Sequence, residues 1–307
     1  MKISVIIPIY NKEEYIETCL NKTLKQTFED FEVIAVDDGS TDRSGQICDQ
    51  LAEKDSRLKV IHIPNMGVTA ARKRGLDEAK GQYVMFSDAD DFYLPDALAT
   101  LYNAIESSKA DEVIASFVDQ YGHYTLSDHI GEPPCDLLIR EILANEQRFC
   151  VLWGIIFKKE ILEDCLDIPN EIIEGEDKLM QIKVLAKQPR VRFIDDCVYM
   201  YNMGLPNDRK QTLERAIAYD NMLREILAYR WDFFEHHFIL HQLKDYQLFV
   251  AAGEGMKVKP YYKEQFNGRL NGSFSLANRL TWWLPTNVAG AIIRTYWRFI
   301  RAWRHRA

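Results

Sequence analysis

Residues 81–92 read GQYVMFSDADDF, and the rest of the chain is organised around them. Their apolar run, with β-branched and aromatic side chains, predicts a buried strand that carries Asp88, Asp90 and Asp91 into a short loop at its carboxyl end. Open α/β sheets bind ligands at that end of their strands. Carboxylates this close repel one another, so a cation that prefers oxygen ligands, Mg²⁺ or Mn²⁺, would stabilise them. A solvated acidic turn before the next helix is the alternative.

Strands and helices alternate along the first 110 residues. Apolar runs at 3–9, 31–36, 58–63 and 83–86 predict strands, and the patterns at 12–26, around Ile47 and Leu51, at 68–79 and at 95–107 predict helices. This rhythm predicts an α/β fold with a mostly parallel sheet flanked by helices. Tyr10, Asp38, Asn65 and Asp88 each follow a strand, so we expect them at one edge, around a ligand the size of a nucleotide.

No glycine-rich phosphate loop follows the first predicted strand. Residues 8–11 read PIYN, which lacks the GxGxxG of a dinucleotide site, and the chain contains no GxxxxGK[ST]. The sequence therefore argues against a dinucleotide site and excludes a P-loop. The phosphates of a bound nucleotide would be held by a metal instead.

Charge is distributed unevenly along the 307 residues, whose net charge is −8. Residues 256–307 carry ten Lys and Arg and one acid, Glu264, so the body before them is strongly acidic. An acidic body argues against nucleic acid as its partner, while the basic tail suits an anionic surface. Six scattered cysteines without metal-ligand spacing are typical of a reduced cytosolic protein. Because neither a signal-peptide pattern nor an apolar run of about 20 residues is present, we expect a cytoplasmic location.

Four segments resemble the family 2 glycosyltransferases, which have the GT-A fold. They are VIIPIYN at 5–11, DDGSTD at 37–42, NMGVTAAR at 65–72 and FSDADD at 86–91. Each segment alone is weak, but the four together in this order are specific. The resemblance covers the first 115 residues closely and the next 90 less closely.

A nucleotide-diphosphosugar donor, usually a UDP-sugar, is what this resemblance implies. The donor contacts that it implies are Pro8, Tyr10, Glu13, Asp38, Asn65, Arg72 and Asp88. Three of these have simpler interpretations: Tyr10 covering the end of the sheet, Asp38 capping the next helix, and Arg72 as an exposed helical charge. Lys73 stands where the family usually has Asn.

By the same resemblance, Asp90 holds the Mn²⁺ or Mg²⁺ that bridges the donor phosphates, and Asp91 is structural. Asp177 is the expected general base that deprotonates an acceptor hydroxyl for attack with inversion, and Glu176 is the second candidate. Acids at the start of a helix also complement its dipole, which is the alternative for both. Trp153 falls where the family places a Trp near the sugar.

The predicted catalytic domain covers residues 1–205, with a nucleotide-sugar half at 1–115 and an acceptor half at 116–205. A loop is expected at 122–134 and a closing strand pair at 191–201. Residues 206–307 form a predicted C-terminal helical region. At helical spacing, the apolar residues of 285–307 share one arc and the basic residues share the opposite arc. The apolar arc comprises Ile292, Ile293, Tyr296, Phe299, Ile300 and Trp303. The basic arc comprises Arg294, Arg298, Arg301 and His305. Such a helix fits an anionic membrane surface; a docked helix or an oligomer contact is the alternative.

The sequence favours a metal-dependent inverting glycosyltransferase of the hexosyl or N-acetylhexosaminyl type. It would move one sugar to a hydroxyl of a glycan or lipid-linked acceptor in cell-surface polysaccharide synthesis, on the inner face of the membrane. Transfer of single sugars is expected because the transmembrane helices and the Gln-x-x-Arg-Trp motif of the processive synthases are missing. The alternatives are a catalytically silent scaffold that binds nucleotide-sugars and a sugar-1-phosphate nucleotidyltransferase. The latter would require a Gly-rich basic loop after the first strand.

Overall fold

The computed structural model describes residues 1–125, 129–145, 149, 151–169, 171, 172, 174–202, 211–270 and 274–304, with side chains up to residue 298. The chain divides into two compact units. The first comprises Met1–Ile142 and Glu146–Lys210, and the second comprises Leu143–Asn145 and Gln211–Ala307. The predicted boundary lies after residue 205.

One mixed sheet forms the centre of the first unit. Its strands are β1 (Ile3–Ile9), β2 (Phe31–Asp38), β3 (Leu58–Ile63), β4 (Tyr83–Phe86), β5 (Phe92–Tyr93), β6 (Glu112–Asp119), β7 (Tyr124–Thr125), β8 (Ile155–Lys158) and β9 (Val191–Tyr201). The order is β3-β2-β1-β4-β8-β6-β9-β5, with β7 paired to β6. The helices up to residue 202 are α1 (Ile16–Leu24), α2 (Ser44–Ala52), α3 (Val68–Glu78), α4 (Ala97–Ser108), α5 (Cys135–Ala144) and α6 (Glu176–Ala186).

Strands β1 to β4 are parallel neighbours, which confirms the predicted α/β arrangement. Strand β8 runs antiparallel to both β4 and β6, so β6 and its parallel neighbour β9 run in the same direction as β4. The predicted strand pair at 191–201 is wrong: β9 is one continuous strand. Irregular register against β6 around Ser116 lets it follow the twisted sheet without a turn.

Helices cover both faces of the sheet. On one face, alternate residues of β1 such as Val5 and Ile7 pack with α1, α2 and α4 in a fully buried core. Helix α3 packs on the other face, where Gly75 meets Ile6 of β1. A Cβ built on Gly75 would lie 2.4 Å from the Ile6 Cγ2 atom, so only glycine permits this close approach.

Two glycines with positive φ stand immediately before the helices that carry predicted site residues. Gly67, with φ of 92°, precedes α3, which carries Arg72. Gly175, with φ of 80°, precedes α6, whose first two residues are Glu176 and Asp177. Left-handed backbone at these points turns the chain sharply into each helix, which places the first helical turns at the site.

The second unit is helical in the part of the chain described, as predicted. It contains α7 (Leu213–Leu227), α8 (Trp231–Ala251), α9 (Gly255–Phe266), α10 (Leu276–Trp283) and α11 (Thr286–Arg304). Thr212 and Ser275 cap α7 and α10, because their hydroxyls accept hydrogen bonds from the backbone N–H groups of Arg215 and Asn278. Aromatic residues of α8 and α9 build the core, including Tyr246, Tyr262 and Phe266.

The apolar arc predicted on the last helix is divided between two faces of α11. Ala289 and Ile293 are buried in the core of the second unit, so this side of the helix is docked. Val288, Ile292 and Tyr296 are 42%, 52% and 60% exposed. The side chains of Phe299, Ile300, Arg301 and Trp303 and the whole of His305 lie outside the described part. Within it, no helix combines the length and apolarity that crossing a membrane requires.

Candidate active site

The carboxyl ends of β1 to β4 share one edge because these strands are parallel neighbours. This register determines where the predicted donor residues lie. Tyr10 directly follows β1 and is 47% exposed, and Asn65 follows β3 and is exposed. Pro8 is buried within β1, paired opposite Val36 of β2.

Asp38 ends β2 and is 3% exposed. One of its oxygens accepts a hydrogen bond of 2.7 Å from the backbone N–H of Met66, and the other accepts 2.9 Å from that of Gly67. Asp38 therefore holds the loop before α3, rather than capping the following helix α2. A carboxylate has further lone pairs, so these bonds leave acceptor capacity for a ligand.

The loop after β1 is clamped to the loop after β2. Asn11 Oδ1 accepts a 2.8 Å hydrogen bond from Thr41 N, and Lys12 N donates 2.7 Å to the Ser44 hydroxyl. Glu13 Oε2 accepts 3.0 Å from Arg43 N. Glu13 thus braces the predicted nucleotide-binding edge through backbone contacts.

Asp88 follows β4 and faces the buried guanidinium of Arg72, which is 3% exposed. Arg72 Nη2 donates a hydrogen bond of 3.1 Å to Asp88 Oδ1. Burial raises the pKa of Asp88, Asp177 and Asp90 raise it further, and Arg72 opposes them. Burial alone would lower the pKa of Arg72, but Asp177, Asp88 and Glu176 outweigh it, so that pKa is raised. The exposed-charge alternative for Arg72 is wrong, because the side chain is buried, and its contact with the donor stays a prediction.

Asp90 and Asp91 have different surroundings. The Asp90 carboxylate is 17% exposed and forms an ion pair with Lys12. Asp91 is 1% exposed, and its Oδ1 accepts 2.8 Å from the backbone N–H of Asn202 at the end of β9. Burial, with smaller contributions from Asp88 and Asp90, raises the pKa of Asp91 to about 8. This tethered position agrees with the structural role predicted for Asp91.

Asp177 reaches the same site from α6. Arg72 Nη1 donates a hydrogen bond of 2.5 Å to Asp177 Oδ1, so one guanidinium bridges Asp177 and Asp88. The Asp177 side chain is 26% exposed, whereas Glu176 is 8% exposed. Of the two predicted base candidates, Asp177 is the more accessible to an acceptor.

Trp153 lies in the core of the first unit and is 5% exposed. Its ring stacks on Tyr199 at 4.6 Å and on Tyr201 at 5.0 Å between centroids. The ring therefore packs against two residues of β9, and its predicted contact with the sugar stays a prediction.

The profile of Glycosyl transferase family 2 matches residues 4–166, which is more than half of the chain. The chain belongs to glycosyl transferase family 2. The uncharacterized glycosyltransferase EpsJ of Bacillus subtilis is 30% identical over 248 residues, 76% of this chain and 70% of that protein. The poly(ribitol-phosphate) beta-glucosyltransferase of Bacillus spizizenii is 31% identical over 208 residues, 66% of this chain. Those residues are only 32% of that relative, so the chain spans about a third of its length.

A solved structure supports the fold of this family 2 member. The crystal structure of S. aureus TarS 1-349 in complex with UDP-GlcNAc matches with a TM-score of 0.73 at 22% identity, covering 99% of this chain and 92% of that one. The predicted GT-A fold is confirmed.

The acidic loop at 88–91 of this family 2 chain can be compared with the predicted Mg²⁺ or Mn²⁺ site. Among the residues that the structure describes, no three or more His, Cys, Asp or Glu side chains group into a metal site. Magnesium at phosphate sites is held by one or two carboxylates together with substrate phosphates. Asp90 would supply one such carboxylate, and it already contacts a cation, Lys12. The residues therefore fit a metal that a diphosphate helps to hold.

Three contributors to the site were missed by the sequence analysis. Lys12 pairs with Asp90, the Tyr199 hydroxyl accepts a hydrogen bond of 3.0 Å from Asp88 N, and the Asn202 side chain donates to the backbone carbonyl of Asp90. Tyr199 and Asn202 are over 100 residues from the loop in sequence. No local pattern signals such contacts, which arise because β9 ends beside the loop.

Proposed function

We propose that this family 2 glycosyltransferase transfers one sugar from a nucleoside diphosphate donor, a UDP-sugar, to a hydroxyl of a glycan or lipid-linked acceptor. Transfer would proceed with inversion and depend on Mn²⁺ or Mg²⁺. The observation that carries the proposal is the bridge made by Arg72, which joins Asp88, in the loop at 88–91 (the donor loop), to Asp177 of α6. A proton acceptor is thereby held beside the predicted diphosphate site.

Asp177 would act as general base. Arg72 binds its Oδ1 atom and leaves Oδ2 for the acceptor hydroxyl, whose proton passes to the carboxylate as the oxygen attacks the anomeric carbon. The hydrogen bond from Arg72 fixes the position of Oδ1 and so orients the carboxylate. A metal bound at Asp90 would stabilise the charge on the departing nucleoside diphosphate.

The nucleoside would lie over Tyr10 and beside Asp38 and Asn65. These residues stand at the ends of three adjacent parallel strands, which is the usual ligand edge of such sheets. A UDP donor is further supported by the similarity of fold to TarS, which was crystallised with UDP-GlcNAc. A role in cell-surface polysaccharide synthesis is supported by the similarity to the poly(ribitol-phosphate) beta-glucosyltransferase.

We also propose that the basic tail, 285–307, places the enzyme on an anionic membrane surface at the cytoplasmic side. Exposed apolar residues recur at helical spacing along α11, namely Val288, Ile292 and Tyr296. Trp283 at the end of α10 is 58% exposed. Arg294 and Arg298 are exposed on the same helix, so apolar and cationic groups occur together, as in interfacial helices.

A donor screen tests the proposed function. The purified protein is incubated with a panel of UDP-sugars, with Mn²⁺, Mg²⁺ or EDTA, and release of UDP is measured. We expect metal-dependent hydrolysis of one or a few donors. UDP binding without turnover of any donor, with or without added glycans, would favour a silent scaffold. Formation of UDP-sugar from UTP and a sugar 1-phosphate would favour a nucleotidyltransferase.

A further inference from the structure

The ion pair between Lys12 and Asp90 places a protein ammonium group at the carboxylate predicted to hold the metal. The pair is partly buried, since Lys12 and Asp90 are 31% and 17% exposed. A divalent cation and this ammonium are both attracted to the same carboxylate. They cannot occupy the same position, and their charges repel each other.

Both ends of the pair are anchored through the backbone. Lys12 N donates to Ser44 Oγ at 2.7 Å, and its neighbour Asn11 donates from its N–H to Ser40 Oγ at 3.0 Å. At the other end, the carbonyl of Asp90 accepts a hydrogen bond from the Asn202 side chain. With both backbones held, the flexible lysine stem can change position when the site fills.

A displaced Lys12 ammonium would need a second partner. Its ammonium already lies 6.0 Å from the centroid of the Tyr15 ring, within the range of a cation–π contact. Its loop also joins the strand end that carries Tyr10, beside which the donor would lie. The anionic diphosphate of a donor would offer the ammonium a second partner close to Asp90.

We propose that Lys12 occupies the cation position of Asp90 in the free enzyme and moves to the donor diphosphate when metal and nucleotide bind together. This inference rests on the proposed function. Metal alone must displace the ammonium without offering it a new partner, so it binds weakly. Nucleotide relieves that competition, so each ligand strengthens the binding of the other by the same factor.

Binding of Mn²⁺ to the full chain tests this, measured by calorimetry or by the EPR signal of free Mn²⁺, with and without saturating UDP. We expect UDP to tighten Mn²⁺ binding to the wild-type protein at least about tenfold, which is ~1.4 kcal/mol. Lys12→Gln should bind Mn²⁺ alone at least about tenfold more tightly than wild type. Its coupling to UDP should be reduced, because the neutral side chain no longer competes. Lys12→Arg, which keeps the charge, should bind Mn²⁺ alone as weakly as wild type.

Lys158→Gln is the matched control. Lys158 pairs with Asp111 at 2.6 Å, both side chains are 27% exposed, and the pair lies at the start of β6 and the end of β8. This variant should leave Mn²⁺ binding unchanged. The inference is overturned if Lys12→Gln binds Mn²⁺ alone no better than wild type does. The same holds if neither protein binds Mn²⁺ alone. Calorimetry with UDP reports separately on the proposed function: lack of UDP binding contradicts the donor, even if Lys12→Gln gains affinity for Mn²⁺.

Discussion

The Arg72 guanidinium lies 2.5 Å from Asp177 Oδ1, so a cation buried under the donor loop also fixes the proposed base. The same guanidinium contacts Asp88 at 3.1 Å. Because Arg72 is 3% exposed, it depends on both carboxylates to offset the cost of removing its charge from water. The donor loop and the proposed base are therefore held by the same guanidinium.

Asp177→Asn should abolish most transfer while leaving donor binding intact. The amide keeps the Oδ1 atom that accepts from Arg72 but cannot take a proton, so kcat should fall by about 10²–10⁴-fold. Steady-state rates and UDP affinity of the variant measure the two effects. The Glu176→Gln variant serves as a comparison, because that side chain is 8% exposed. Normal transfer by Asp177→Asn, or a larger loss in Glu176→Gln, would contradict the assignment of the base.

Arg72→Lys should lower stability although it conserves charge. A single ammonium cannot contact Asp88 and Asp177 with the geometry of the guanidinium fork, so one buried contact is lost. We expect the free energy of unfolding in urea to fall by about 2–4 kcal/mol. Arg74→Lys is the matched control on the same helix, since Arg74 is 44% exposed and pairs with Glu78. Equal unfolding curves for the two variants would show that the bridge adds nothing to stability.

Glu112→Gln should change how stability depends on pH. Burial raises the pKa of Glu112 from 4.5 to about 8, and a hydrogen bond from Gln181 only partly opposes this. Between these values the folded state keeps a proton that the unfolded state has lost, so the free energy of unfolding falls as pH rises. The slope approaches ~1.4 kcal/mol per pH unit for this one group. The slope is absent at pH values below the pKa of Glu112 in the unfolded state, and it ends above the pKa of Glu112 in the folded state.

The variant removes that slope, so Glu112→Gln should gain stability over wild type as the pH rises from 5 to 8. Urea unfolding at several pH values measures the difference. Glu17→Gln, which changes an exposed glutamate on α1, should run parallel to wild type. Parallel curves for Glu112→Gln as well would mean that Glu112 is charged in the folded state.

Gly75→Ala should destabilise the contact of α3 with the sheet. The added Cβ would lie 2.4 Å from Ile6 Cγ2, and such overpacking costs about 1–3 kcal/mol, partly offset by the better helix propensity of alanine. The double variant with Ile6→Ala should lose less stability than the two single losses combined. Thermal unfolding of the four proteins measures this coupling. Additive losses would show that the helix shifts instead of clashing.

Replacing Ile292 and Tyr296 with serine should weaken binding to anionic membranes. Both side chains are exposed, at 52% and 60%, so the fold should be retained. Co-sedimentation with vesicles containing phosphatidylglycerol measures binding, and pure phosphatidylcholine vesicles test the contribution of charge. Leu248→Ser, at a residue 47% exposed on α8, is the control. Unchanged binding of the double variant would exclude this face of α11 as the membrane contact.

The sequence predicts the donor half well because its signals are local. Strand β4 is found at 83–86 as predicted, and α3 ends one residue before the predicted helix does. These elements are determined by apolar runs and by the polar residues that follow each strand, and both signals lie within a few positions of the element in sequence. Register then follows, because parallel neighbours align their carboxyl ends.

What the sequence does not predict depends on contacts between distant residues. The antiparallel β8 and the unbroken β9 follow from pairing across the sheet, which periodicity does not encode. On α11, Ile292 and Ile293 belong to one arc by angle, yet only Ile293 is buried, because neighbouring helices cover less than the full arc. The partners of Arg72 and Lys12 likewise depend on which of several nearby carboxylates each side chain reaches.

Strand β9 has a consequence for the order in which the protein can be assembled during synthesis. The loop at 88–91 is made early in the chain, yet its backbone is fixed by hydrogen bonds with the Tyr199 hydroxyl and the Asn202 side chain. A nascent chain that has emerged only to residue 115 would contain all four segments that resemble the family. It would lack both of these contacts. Competence to bind the proposed donor should therefore emerge only after residue 202 has left the ribosome, well after strands β1 to β4 have appeared.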